Sequence, residues 1–242
     1  MKIINAKNRA EAGKYAAQMI IDLIKKKPDT TLGLATGSSP ETTYSHLVKA
    51  YEAGEISFSK VRTVNLDEYV GVNETHPQSY RFFMEEKLFS AVDIRRENTH
   101  LPSGLAENLR AECERYDRLI SDLSPIDIQL LGIGHNGHIG FNEPSDFFTE
   151  GTHVVDLAPS TIEANSRFFK TESDVPKRAI TMGIGQIMSA KRIILLAFGK
   201  EKSDILRAAL TGDVTPNCPA SVLQHHPNLT VIADTHALAK MQ

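Results

Sequence analysis

Short apolar strands alternate with helices along this chain, and this order limits the fold more than any other feature of the sequence. A strand–helix–strand order with right-handed crossovers produces a mainly parallel sheet that helices cover on both faces. We therefore predict an open, Rossmann-like α/β fold and, because no linker or repeat interrupts it, a single domain over residues 1–242. The predicted strands are 31–35, 61–66, 126–131, 192–198 and 229–233, and the predicted helices are 12–27, 41–53, 78–88 and 105–123.

The composition favours a reduced cytoplasmic protein. A net charge of -3 over 242 residues gives no electrostatic basis for binding nucleic acid or an anionic membrane. No apolar run approaches the length of a membrane span, and Met1–Lys7 becomes polar before a signal-peptide core develops. Cys113 and Cys218 form neither a disulfide framework nor a close metal pair. We expect no nucleic-acid or membrane partner and no cofactor.

The densest group of candidate functional residues is the segment 132–144, Gly-Ile-Gly-His-Asn-Gly-His-Ile-Gly-Phe-Asn-Glu-Pro. Its four glycines suit a sharply folded loop, and it directly follows the predicted strand 126–131. Open α/β proteins bind their ligands at the carboxyl ends of such strands. The alternative is a glycine-rich connection with incidental polar residues. Loops that carry titratable groups on a rigid scaffold are more often functional.

Three other segments also follow predicted strands, namely 36–40, 67–69 and 199–202. In a parallel sheet all four strand ends lie on one edge, so the sequence predicts that they converge on one pocket. Gly37, Ser38 and Ser39 open a helix and offer backbone N–H groups and hydroxyls that suit a phosphate, although a serine that only caps this helix is an open alternative. Lys202 and Arg167 are candidate phosphate ligands, although a solvated surface charge is the favoured explanation for either cation taken alone.

Asp67 and His138 are the candidate acid–base residues. A carboxylate at a strand end can act as a general base when partial burial tunes its pKa, but a turn or capping role is the ordinary alternative. His138 can be a structural hydrogen-bonding group or a catalyst, and Glu143 is a nearby carboxylate that can hold its tautomer. His135, His138 and Glu143 are also of residue types that can bind a metal. Their spacing in a glycine loop matches no usual zinc signature, so we predict no metal site.

Several motifs in order resemble the glucosamine-6-phosphate deaminase (isomerase) family over essentially the whole chain. They are Ala35–Pro40, Asn65–Gly71, His76–Tyr80, Gly132–Pro144, Ala164–Phe169 and Leu223–Pro227. The resemblance implies conversion of glucosamine 6-phosphate and water to fructose 6-phosphate and ammonia, without a metal or redox cofactor.

The resemblance also implies roles for individual residues. His138 looks like the group that opens the sugar ring, assisted by Glu143 and Asn136. Asp67 looks like the base that moves a proton from C2 to C1. The phosphate grip looks like Gly37, Ser38, Ser39, Arg167 and Lys202.

Two departures from the family pattern bear on function. Asn136 stands where many members carry aspartate, and an amide can orient His138 but cannot stabilise an imidazolium by charge. His153 and Val155 stand where regulated hexameric members carry an arginine and a lysine. The chain therefore resembles the shorter, non-allosteric bacterial type, and we expect a monomer or small homo-oligomer.

Two other functions remain alternatives at this point. A 6-phosphogluconolactonase-type hydrolase shares the Gly-His core of the loop, but Phe141–Pro144 and Tyr69 depart from the residues typical of that group. A non-catalytic sugar-phosphate sensor would need a DNA-binding segment, and the acidic chain offers no helix-turn-helix pattern.

Overall fold

The computed structural model describes residues 1–166, 169, 171 and 174–241, except for the side chain of Ala164. Its strands are β1 (Lys2–Ala6), β2 (Thr31–Leu34), β3 (Arg62–Asn65), β4 (Asp67–Tyr69), β5 (Thr99–His100), β6 (Ile128–Gly132), β7 (His153–Asp156), β8 (Arg178–Thr181), β9 (Ile193–Ala197) and β10 (Leu229–Asp234). Its α-helices are α1 (Arg9–Lys26), α2 (Glu41–Glu52), α3 (Tyr80–Lys87), α4 (Leu109–Leu123), α5 (Pro159–Ser166), α6 (Ile184–Met188) and α7 (Ser203–Thr211).

Seven strands form a central parallel sheet in the order β1-β10-β9-β6-β2-β3-β5. Alternate residues of its inner strands enter different cores: Leu130 of β6 packs with helices α1–α3, whereas Leu131 packs with α4, α6 and α7. Both leucines are fully buried. A strand covered on both faces needs a continuous apolar run, which is why these strands were readable from the sequence. The predicted α/β architecture is confirmed.

A second, three-stranded antiparallel sheet of order β4-β8-β7 was not predicted. Residues 67–69 were predicted only to follow the strand 61–66. They form β4, in which Asp67 pairs with Thr181 of β8. A three-residue strand whose partner is distant in the sequence leaves no periodic signal. Strands β1, β5, β7 and β8 were also missed.

Helix ends follow local capping groups. The structure begins α4 at Leu109, later than predicted, because the side chain of Asn108 accepts a hydrogen bond from the main-chain N–H of Ala111 at 3.0 Å. Ser79 caps α3 in the same way through the N–H of Phe82. None of the helices described here is both long and apolar enough to cross a membrane.

Asp127 joins three segments at the amino edge of the central sheet. Its carboxylate accepts hydrogen bonds from Lys27 Nζ at 2.6 Å, Lys191 Nζ at 3.0 Å, Thr30 Oγ1 at 2.9 Å and the Thr31 N–H at 3.0 Å. Burial by itself raises the pKa of Asp127, but these hydrogen bonds outweigh burial and hold the pKa far below its ordinary value. The ionised carboxylate therefore stabilises the fold.

We expect Asp127→Asn to lower the free energy of unfolding at neutral pH by about 1.5–3 kcal/mol, as for lost hydrogen bonds to a charged group. Because the folded-state pKa is depressed, this contribution is fully present above the unfolded pKa of about 3.9 and is lost as pH falls through the folded value. Urea unfolding of both proteins should therefore show a gap that narrows on acidification. Asp122→Asn, at an exposed site on α4, is the control. Equal stabilities of the Asp127→Asn variant and the unmodified protein at neutral pH would contradict this account.

Candidate active site

A cavity of about 450 Å³ opens at the carboxyl edge of the central sheet, where β2, β3, β6 and β9 end. The structure brings together in its wall the predicted residues Gly37, Ser38, Ser39, Asp67, Asn136, His138 and Lys202. Glu143 contacts His138 without lining this cavity. Arg167, which was also predicted to belong to the site, lies outside the described residues.

The glycines of the loop 132–144 allow it to fold against itself. Gly134 donates its N–H to the carbonyl of His138 at 2.9 Å. A Cβ atom at Gly134 would lie 2.4 Å from the imidazole of His138, so only glycine lets the ring occupy this position. Gly137 and Gly140 have positive φ angles of 87° and 59°, which other residues rarely adopt. The glycine pattern therefore positions the histidine.

The carboxylate of Glu143 contacts the imidazole of His138. Its Oε2 lies 3.3 Å from His138 Nδ1, and its Oε1 accepts a hydrogen bond from Thr161 Oγ1 at 2.6 Å. Burial raises the pKa of Glu143, but hydrogen bonds from His138, Thr161 and Asn136 outweigh this effect and keep the pKa below its ordinary value. An ionised Glu143 accepts a hydrogen bond from Nδ1–H of His138. This leaves Nε2 as the nitrogen available for proton transfer.

Asn136 makes hydrogen bonds to both Glu143 and the main chain of His138. Its Nδ2 donates to Glu143 Oε2 at 2.6 Å, and its Oδ1 accepts from the main-chain N–H of His138 at 3.2 Å. The side chain therefore fixes the carboxylate of Glu143 and the backbone of the loop. An aspartate here would place a second carboxylate against Glu143, whereas the amide donates to it.

Asp67 is the buried carboxylate of the cavity, with 5% of its surface exposed. Burial, and secondarily the charge of Glu68, raise the pKa of Asp67 well above its ordinary value. Asp67 does not cap the next helix. The first N–H groups of α3 are accepted by the side chains of Ser79 and Glu68. Glu68 accepts the N–H groups of Tyr69, Tyr80 and Arg81, each at 2.9 Å. Asp67 is therefore buried beside the cavity with a raised proton affinity.

The loop that joins β2 to α2 lines the same cavity with Thr36–Ser39. Gly37 has a φ of 83°, and the helix begins at Glu41 with Pro40 as its N-cap. Pro40 makes no side-chain capping bond, so the alternative in which Ser38 or Ser39 is the N-cap residue is not observed. Lys202 donates from Nζ to the carbonyl of Ile133 at 2.8 Å, which holds its ammonium beside the glycine loop.

Sequence reasoning missed an aromatic wall. The ring centroids of Tyr69 and Tyr80 are 4.8 Å apart, and Tyr80 stacks on Phe141 at 5.9 Å. Asn165 of α5 donates to the Tyr69 hydroxyl at 2.9 Å, and Phe169 meets the Tyr69 ring at 6.1 Å. Tyr69 directly follows the acidic pair 67–68, so its place next to the candidate base Asp67 was visible in the sequence. The other members come from separate segments and only the fold assembles them.

Arg9 and Phe198 were also missed, although both line the cavity. Arg9 begins α1, which has no strand-end motif, and Phe198 had been read only as the last residue of a strand.

A second cavity, of about 270 Å³, shares Glu143 with the first site. His153 and Val155 line it together with Asp156. The Nδ1 atom of His153 lies 3.0 Å from the carbonyl oxygen of Gly151. Among the described residues that line this cavity there is no lysine or arginine.

The fold and the site together define an open α/β protein with a cavity lined by a buried carboxylate and a histidine at the carboxyl edge of its parallel sheet. The chain belongs to the glucosamine-6-phosphate isomerase/6-phosphogluconolactonase family, whose profile matches residues 5–232.

Its relatives include two proteins named glucosamine-6-phosphate deaminase. The protein from Lachnoclostridium phytofermentans is 56% identical over 96% of this chain and 98% of its own length. The protein from Geobacillus sp. (strain WCH70) is 52% identical over 99% of this chain and 95% of its own length. A solved structure described as a monomeric glucosamine-6-phosphate deaminase superposes with a TM-score of 0.97 at 45% identity, covering 99% of this chain and 100% of that chain. The 6-phosphogluconolactonase of Trypanosoma brucei, at 19% identity and a TM-score of 0.78, shares the fold.

Proposed function

We propose that the chain converts glucosamine 6-phosphate and water to fructose 6-phosphate and ammonia in the cytoplasm, as a single domain over residues 1–242. The observation that carries this proposal is that Asp67, a buried carboxylate, and His138, a histidine in contact with Glu143, line the same cavity. The relatives named glucosamine-6-phosphate deaminase support the same reaction.

His138 opens the sugar ring in this proposal. Nε2 accepts the proton of the anomeric hydroxyl and a proton is delivered to the ring oxygen, so the C1–O5 bond breaks and the C1 aldehyde forms. Glu143 offsets the positive charge that His138 carries between the two transfers. Asn136 and Thr161 hold Glu143 in place through bonds of 2.6 Å each.

Asp67 then acts on the open chain. Its carboxylate removes the proton from C2 and returns it to C1, while a proton moves from the amino group to O1. The product carries a C1 hydroxymethyl group and a C2 imine, and addition of water to the imine releases ammonia and leaves the C2 ketone. A base with a raised pKa suits this work, because it holds the proton between removal and return.

Lys202 and the loop at Gly37–Ser39 bind the 6-phosphate in this scheme, with Arg167 as a further ligand. We expect Lys202→Gln to raise KM for glucosamine 6-phosphate by about tenfold to a hundredfold, because a charge-assisted bond to phosphate contributes roughly 1.5–3 kcal/mol. The matched control is Lys200→Gln, an exposed lysine two positions earlier that does not line the cavity. Steady-state kinetics check this, and an unchanged KM together with an unchanged preference over unphosphorylated glucosamine would refute the assignment of Lys202.

The reaction itself is tested by coupled detection of ammonia and fructose 6-phosphate from glucosamine 6-phosphate. Hydrolysis of 6-phosphogluconolactone is measured beside it, and both assays are repeated with a chelator. Lactone hydrolysis without ammonia release would replace the proposed function by that of the other branch of the family.

We propose a monomer or small homo-oligomer without allosteric activation. A ligand shifts a conformational equilibrium only through different affinities for the two states, and the cavity at His153 and Val155 offers an anion no lysine or arginine among the residues that the structure describes. We expect a hyperbolic saturation curve that N-acetylglucosamine 6-phosphate leaves unchanged. Substrate saturation with and without this sugar phosphate, with light scattering for mass, checks it. A sigmoidal curve that the effector makes hyperbolic would contradict the prediction.

A further inference from the structure

Arg9 stands at an unfavourable place for a cation. It is the first residue of α1, after the N-cap Asn8, whose side chain accepts the N–H of Glu11 at 3.0 Å. The N-terminus of a helix carries partial positive charge, so a cation in the first turn is repelled by it. A residue whose position is unfavourable for its own helix is often found at a functional site.

The side chain of Arg9 extends over the cavity. Its Cζ lies 5.5 Å from the ring centroid of Phe198, the buried residue that follows β9, and both residues line the cavity wall. A guanidinium over an aromatic face is attracted to the ring, and its N–H groups can still donate hydrogen bonds to a ligand. Phe198 thus orients Arg9 at the cavity.

The positive charge of Arg9 is not offset by an ion pair with a carboxylate of the described residues. No carboxylate is found within ion-pair distance of its guanidinium in the described part of the chain. The acid of its own first turn, Glu11, instead accepts the main-chain N–H of Lys7 at 2.6 Å. Glu201 and Asp67 also line this cavity, so a bound anion has to lie away from both carboxylates.

We propose that Arg9 binds the phosphate of the substrate at the mouth of the cavity, as a cation supplied by α1 and not by the strand-end loops. The identity of the substrate in this inference rests on the proposed function. The binding of an anion by Arg9 does not depend on whether the protein turns over glucosamine 6-phosphate. Lys202, the loop 36–39 and Arg9 all line the same cavity, so one phosphate can be reached from three segments. Arg9 is exposed, which makes its contribution smaller than that of a buried ligand and sensitive to salt.

The direct test is calorimetric titration of inorganic phosphate at low ionic strength into the unmodified protein, Arg9→Gln, Arg9→Lys and Lys14→Gln. Lys14 is an exposed cation of the same helix that does not line the cavity, so its variant has the same net charge as Arg9→Gln. We expect Arg9→Gln to weaken phosphate binding by about twofold to fivefold, as for an exposed ion pair. Arg9→Lys should retain most of the affinity, and Lys14→Gln all of it.

Unchanged phosphate affinity in Arg9→Gln would overturn the inference, and so would an equal loss in Lys14→Gln, which would reflect net charge alone. Arg9→Gln should melt at the same temperature as the unmodified protein or slightly above it, because a cation leaves the helix N-terminus. A lower melting temperature with unaltered phosphate affinity would assign Arg9 to packing on Phe198. For glucosamine 6-phosphate, KM should rise by the same factor while kcat stays constant. If the unmodified protein releases no ammonia, the proposed function fails and the phosphate titration still decides the role of Arg9.

Discussion

Replacing Asp67 with asparagine should lower kcat for ammonia release by about a hundredfold to ten-thousandfold, the usual effect of losing a general base. Asparagine keeps the size of the side chain but cannot accept the C2 proton, so substrate binding should persist. Stopped-flow or steady-state kinetics would give kcat, and titration with a competitive inhibitor would give affinity. The control is Asp122→Asn, which changes the same functional group at an exposed site on α4.

The same substitution should stabilise the protein. Burial holds the pKa of Asp67 above that of an unfolded aspartate, so the folded state binds its proton more tightly. The cost of ionising the buried group is absent below the unfolded pKa of about 3.9, grows as pH rises towards the folded value and is constant above it. Asp67→Asn removes that cost, and its gain in melting temperature should therefore increase with pH.

The combination of lower turnover and higher stability distinguishes a base kept in a buried site from a structural carboxylate. A structural Asp67 would give the opposite result on stability, because its removal would break favourable contacts. Near-native kcat in Asp67→Asn would show that another group moves the proton from C2.

His138→Gln should lower turnover of cyclic glucosamine 6-phosphate by about a hundredfold to ten-thousandfold, because the ring oxygen loses its proton donor. An analogue that lacks the 4- and 5-hydroxyls can form neither a furanose nor a pyranose ring, so its reaction should be affected far less. The ratio of kcat/KM for the two compounds therefore isolates ring opening from the later steps.

His225→Gln, at an exposed histidine outside the cavity, is the matched control and should change neither rate. Equal losses on the cyclic and open-chain compounds in His138→Gln would place His138 in a later step or in the structure of the loop. A loss of folding in circular dichroism would also point to the loop, since the ring packs against Gly134.

The sequence by itself determined the class of fold and the edge of the sheet where the site lies. Strands buried on both faces, such as 126–131 and 192–198, are mainly apolar along their length, so they can be recognised from the sequence alone. Once parallel strands are placed, their carboxyl ends share an edge, and this is enough to bring Gly37, Asp67, His138 and Lys202 to one cavity.

Only the tertiary structure decided which atoms meet. Asp67 sits in an antiparallel strand because it pairs with Thr181, and Asn136 donates to Glu143 while its Oδ1 bonds the backbone of His138. Arg9 reaches the cavity from a helix that no motif marks. Local propensity and periodicity record what a residue does within its own element, whereas these contacts join segments far apart in the chain, and their free energy appears only when the whole chain has packed.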